Sequence, residues 1–149
     1  MTWLGFDFGQ MLQHAIKICI AYAMAVPIGW ERQQDDRSAG LRTFPLVSIA
    51  SCAYMLLAAD VGFAAADTAR VLVGVMTGIG FIGGGAILKY GVTVRGTATA
   101  ASLWNMGAVG ASVSRGHYEL AVLLSFINFL SLRLLTPFER RWGKKKLDE

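Results

Sequence analysis

From Val71 to Leu88, "VLVGVMTGIGFIGGGAIL", no residue carries a charge. A run of that length has few homes. A helix needs about 20 mostly apolar residues to cross the hydrocarbon layer. Helices are favoured there because each satisfies its backbone polar groups internally. Similar stretches lie at 11–30 and 44–60 before this run, and at 97–114 and 119–136 after it. The stretch at 97–114 is the weakest, carrying Thr97, Thr99, Ser102, Asn105, Ser112 and Ser114. It reads as a full span, a re-entrant segment or an interior one. The expected fold is all-α: a polytopic transmembrane helical bundle of about five spans. It forms a single domain over 1–149, with a basic tail at 137–149.

The charge content agrees. Only 16% of the residues are charged and 54% are hydrophobic, whereas soluble domains carry nearer a quarter charged residues. The net charge of +4 would suit nucleic acid only if the basic residues formed a domain of their own. They border apolar spans instead, which excludes that class of partner. Cys19 and Cys52 lie within apolar runs without CxxC spacing and are expected as buried, inert thiols. The N-terminus has no basic stretch ahead of an apolar core, so no cleavable signal peptide is expected.

Three basic segments set the orientation. Arg32, Arg37 and Arg42 follow the first span. Lys89 and Arg95 follow the third. Arg140, Arg141, Lys144, Lys145 and Lys146 follow the fifth. With five spans all three lie on one side, predicting a cytoplasmic C-terminus and an external N-terminus. Lys17 and Arg133, inside spans one and five, are expected to snorkel to the two surfaces.

The loop "GWERQQDDRSAGLRTFPLV" gathers acids as well as arginines, although topology alone requires only the basic residues. Glu31 sits at the end of span one, where an unpaired carboxylate is costly. It is expected to pair with Arg42 or Arg95. Asp35 and Asp36 are expected to be more exposed. Together Glu31, Asp35 and Asp36 are the candidate carboxylate ligands for a metal ion, although neighbouring arginines argue against a bare cation site. The bland alternative is a loop that serves insertion only.

Two further patterns stand out. Span three carries Gly74, Gly78, Gly80, Gly83, Gly84 and Gly85, with two Gly-xxx-Gly pairs on different sides. Small residues let helices approach closely in lipid, so these glycines are expected to pack span three centrally or between copies in a homo-oligomer. Alternatively, the "GGG" breaks the helix and exposes backbone groups, as in transporters. Span four places Arg95, Ser102, Asn105 and Ser112 on one helical face, with Thr99 one turn away. That stripe reads either as interhelical hydrogen bonding or as a polar cavity. The candidate functional cluster is therefore Glu31, Arg32, Arg42, Thr43, Arg95, Thr99, Ser102 and Asn105. A weak internal echo relates Gly29, Gly40 and Thr43 to Gly85, Gly96 and Thr99 at one constant offset. No catalytic triad, metal-spaced histidine cluster or phosphate-binding loop is present, and nothing points to an enzyme.

"ERQ" at Glu31–Gln33 and "AGLRT" at Ala39–Thr43, with Leu46 and Val47, resemble the MgtC/SapB family of bacterial inner-membrane proteins. "GIGFIGGGAIL" at Gly78–Leu88 is similar to that family's "GIGFLGAGxI", with Gly84 in place of the usual Ala. "VRGTATAASLW" at Val94–Trp104 is similar to its "VxGLTTAAxxW". Three motifs in order span most of the chain. The resemblance implies a multi-pass protein of the bacterial plasma membrane, connected with magnesium limitation and, in pathogens, with intracellular survival. It implies no cofactor beyond Mg²⁺. Two alternatives follow from it. One is transport or sensing of a divalent cation. The other is a non-transporting regulator bound to another membrane complex such as ATP synthase. Many members add a cytoplasmic ACT-like domain, so this chain is expected to be a short, membrane-domain-only form.

Overall fold

The computed structural model describes residues 7–34, 39–90 and 93–145. Five helices follow in order: α1 (Phe8–Gln34), α2 (Thr43–Asp60), α3 (Ala65–Gly85), α4 (Thr97–Ser114) and α5 (Tyr118–Lys145). Between α3 and α4 lies a short antiparallel hairpin, β1 (Leu88–Tyr90) and β2 (Thr93–Arg95), with Leu88 opposite Arg95. The helices α1, α2, α3 and residues 118–135 of α5 are each long and apolar enough to cross a membrane. The protein is a helical membrane bundle.

The weakest apolar stretch of the sequence is the interior of the bundle. Ten of the eighteen α4 residues are buried, and α4 packs against all four other helices. Its polar residues can be tolerated because protein, not lipid, surrounds them. Leu103, Met106, Val109 and Val113 of α4 meet Ala21, Ala25 and Ile28 of α1 and Phe44 and Cys52 of α2, all fully buried. Cys19, by contrast, is exposed. The expectation of two buried thiols holds for Cys52 only, because Cys19 lies on the outer side of α1.

Hydroxyls tie the helices together where the backbone needs acceptors filled or donors answered. Ser48 Oγ donates to the Ala21 carbonyl at 2.9 Å, and Ser125 Oγ donates to the Met24 carbonyl at 2.6 Å. The turns at the far end from the basic loops close in one way. Gly62 and Gly116 take positive φ, and the next residues, Phe63 and His117, donate to Ala58 O and Ser112 O. That is the glycine-terminated helix end, in which a left-handed residue lets the following N–H reach back to an orphan carbonyl.

Of the placements expected for span three, the central one needs correction, and so does the helix break. The helix α3 is peripheral, with only three of its twenty-one residues buried. A Cβ added at Gly74, Gly78, Gly80, Gly84 or Gly85 would meet nothing within 4 Å, whereas one at Gly83 would stand 3.3 Å from the Ala100 carbonyl. The "GGG" does not break a helix but ends one, since α3 stops at Gly85 and the hairpin begins at Leu88. The close glycine contacts lie in α4 instead. A Cβ on Gly107 would collide with the end of the Ile79 side chain. One on Gly110 would collide with the Ser48 carbonyl and stand 2.9 Å from Cys52 N.

The internal echo survives at the helix starts. Phe44 N donates to Gly40 O at 3.2 Å, and Ala100 N to Gly96 O at 2.9 Å. These are the same bond shifted by 56 residues, and Ser51 Oγ bonds Gly107 O across that same separation. The echo fails at the preceding helix ends: Gly29 is crowded by Leu41, while Gly85 has open space.

Lys17 reaches toward the end of the bundle far from the basic loops. Its Nζ donates to the Ser114 carbonyl at 2.8 Å, at the C-terminal end of α4. Helix ends leave carbonyls without partners and carry a partial negative charge, so a cation there answers both. Beside it, His14 Nε2 lies 3.3 Å from Asp60 Oδ2 and joins α1 to α2. Replacing Lys17 by methionine is therefore expected to cost about 1.5–3 kcal/mol, the range for a charge-assisted hydrogen bond. Circular dichroism melts in detergent check this: Lys17→Met should melt lower and Lys17→Arg close to wild type. Equal melting of all three would remove the cap.

Candidate functional site

The helix α5 runs alongside α1, and this decides who meets Glu31. Arg133 Nη1 lies 3.2 Å from Glu31 Oε2. Neither Arg42 nor Arg95 is the partner, contrary to expectation. Arg42 is exposed immediately before α2, and Arg95 is exposed on β2. Arg133 reaches Glu31 because Ser125, two turns earlier on α5, is bonded to α1 at Met24. That contact sets the register of the two helices. The Arg133 guanidinium also lies 6.0 Å from the centre of the Phe129 ring, within cation–π range. The Glu31 side chain is 19% exposed and that of Arg133 61%. The carboxylate is thus nearly enclosed, while its partner remains open to exchange.

Two other members of the expected cluster lie on α1 and α2. Arg32 is buried at the same end of α1. Thr43 opens α2, its N–H donating to Gly40 O at 3.0 Å. Asp35 and Asp36 lie outside the described residues. Among the described residues, no three His, Cys, Asp or Glu side chains stand close enough to hold a metal ion.

The stripe on α4 divides between two roles. Ser102 Oγ donates to Asn128 Oδ1 at 2.9 Å, and Asn105 Nδ2 donates to the Leu124 carbonyl at 3.1 Å. Thr99 and Ser112 are buried, and Arg95 takes no part. Interhelical bonding and a cavity turn out to coincide. The bonded groups floor a groove of about 500 Å³ between α4 and α5, walled by Ala98, Ala101, Ile127 and Leu135. Asn128 and Ser131, also in this groove, were not among the expected site residues. Their signal was present in the sequence: an amide and a hydroxyl three residues apart inside an apolar span share a helix face.

The MgtC family profile matches residues 18–141. The chain belongs to the MgtC family. Over 122 residues it is 36% identical to a protein of Synechocystis, covering 82% of this chain and 52% of the relative. It is 35% identical over 127 residues to the "Putative magnesium transporter YhiD" of Escherichia coli K12, covering 80% of this chain and 59% of that one. Protein MgtC of Brucella abortus is 37% identical over 117 residues, 78% of this chain and 49% of the relative. The MgtC-family chain thus spans about half the length of these curated relatives. No solved structure matches it at the same stringency.

Proposed function

We propose that this MgtC-family protein serves magnesium homeostasis in the bacterial plasma membrane by sensing a divalent cation at its basic, cytoplasmic end. The observation that carries this reading is the Glu31–Arg133 pair. A half-buried carboxylate faces an exposed guanidinium, and the pair ties α1 to α5 at that end. A hydrated Mg²⁺ could compete with Arg133 for Glu31, with Asp35 and Asp36 supplying further oxygens. Mg²⁺ is usually bound through one or two carboxylates while keeping several waters. Exchange would release the end of α5, and so turn cation concentration into a helix position. The name of one relative, the "Putative magnesium transporter YhiD" of Escherichia coli, supports magnesium as the ion.

Transport is the second reading, favoured by the name of the Escherichia coli relative. Purified protein in liposomes separates the two. A spin label on α5 just past Arg133, at Leu135→Cys in a Cys19→Ser background, should become more mobile as Mg²⁺ rises. In the same vesicles an entrapped Mg²⁺ indicator should stay flat. Protein-dependent flux would favour transport, and an immobile label without flux would remove the sensing reading.

A further inference from the structure

We propose that copies of this chain assemble head to tail, the outward face of α3 in one copy seating in the α4–α5 groove of the next. The seat is the groove described above, and the insert is a face that has no partner among the described residues. Gly74, Gly78, Phe81 and Gly85 follow one another at steps of four, three and four residues, which is one stripe of a helix. The stripe points away from the side of α3 that buries Ile79 and Gly83. Phe81 is 85% exposed. Its three glycine neighbours have nothing within 4 Å of where a Cβ would be. The result is a single aromatic knob on an otherwise flat face.

Three observations match knob to groove. The first is depth. Copies inserted the same way in a bilayer are related by rotation about its normal, so contacting residues must lie at equal depth. Gly83 packs on Ala100, and Ile79 packs on Gly107. Phe81 therefore lies level with the part of α4 between those residues. Ser102, inside that interval, bonds Asn128 across the groove. Knob and groove floor share one level.

The second is shape. The groove of about 500 Å³ is walled by alanines, leucines and an isoleucine. Aromatic rings anchor interfaces by filling such apolar pockets. The third is polarity. Asn128 Nδ2 is buried and has no acceptor among the described residues, and an unmet donor at membrane depth is costly. The α3 face can answer it. Its glycines leave main-chain carbonyls uncovered, each with a second lone pair. Thr77, one turn from Phe81, donates its own proton to Val73 O at 2.8 Å and keeps its oxygen lone pairs.

A second copy is therefore a better occupant than a lipid chain, which fills volume but accepts no hydrogen bond. Cross-linking in native membranes tests this, in a Cys19→Ser background. The double variant Phe81→Cys with Ile127→Cys should give, on oxidation, a ladder of dimers, trimers and higher species. Each single variant should remain monomeric on a denaturing gel. A Phe81→Cys single variant that forms dimers would show α3 packing on α3 and overturn the head-to-tail arrangement. Absence of any ladder would leave the groove to lipid or to a foreign helix and overturn it as well. Light scattering on detergent-purified Phe81→Ala supplies the second measurement. The expected mass is that of a monomer, with helical content and melting temperature unchanged. Retention of the wild-type oligomer mass would equally sink the proposal. Neither readout involves a cation, so failure here is separate from failure of the sensing reading.

Discussion

Replacing Gly110 by alanine is expected to prevent the bundle from accumulating in membranes. At this point α4 crosses α2 with backbone against backbone. An added methyl would collide with the Ser48 carbonyl and crowd Cys52 N. Neither atom can turn aside as a side chain end could. Both belong to a helix whose neighbouring hydroxyls, Ser48 and Ser51, are already bonded to α1 and α4. Overpacking of a filled core costs about 1–3 kcal/mol when side chains can adjust, and backbone obstruction places Gly110→Ala at or beyond the top of that range. Gly80→Ala supplies the contrast. Gly80 is exposed and its Cβ would meet open space, so alanine there should be neutral or gain up to about 1 kcal/mol of helix propensity. Membrane levels by blot, and melting of whatever can be purified, make the comparison. Equal accumulation of Gly110→Ala and wild type would mean that the α2–α4 crossing is not this close.

The second large effect is expected at the other end of the molecule. Glu31→Gln should reduce growth complementation in low Mg²⁺ by about tenfold or more, an effect of ~1.4 kcal/mol or above. Insertion should be unaffected. Glutamine keeps the shape of the side chain and removes the charge that holds Arg133. Arg133→Gln should be similarly impaired, because a nearly enclosed carboxylate is then left without its counter-charge. The double variant Glu31→Gln with Arg133→Gln tests whether the two act as a unit. If they do, the double should be no worse than the poorer single, since neighbouring residues in one interaction are not additive. Arg42→Gln serves as the control. Arg42 is exposed and does not meet Glu31, and exposed ion pairs are worth about 0–1 kcal/mol. Full complementation by Glu31→Gln would reduce the loop to a topological signal. Strictly additive losses would show that the two charges work separately.

What the sequence by itself determined is the environment and the elements. The apolar runs at 11–30, 44–60 and 119–136 appear as α1, α2 and α5, with their ends shifted or extended. The interval 97–114 matches α4 residue for residue. These features are legible because length and hydropathy act locally: a backbone in lipid must close its hydrogen bonds within its own helix. The motifs around Glu31, Gly78 and Val94 likewise pointed to the family.

Only the tertiary structure decided which faces meet. The glycines of α3 are conspicuous in sequence, yet most face outward, while the less conspicuous Gly107 and Gly110 make the tight contacts. A small residue permits close approach from any neighbour and does not say which neighbour comes. The sequence offered Arg42 or Arg95 as the partner of Glu31. The partner came from 102 residues away, because α5 lies along α1. Lys17 reaches the end of α4 for the same kind of reason: a helix end that needs a cation is visible in sequence only once its neighbour is known. Periodicity tells a helix which of its faces differ. The packing of five helices, each satisfied internally along its backbone, then rests on side-chain contacts between residues far apart in the chain.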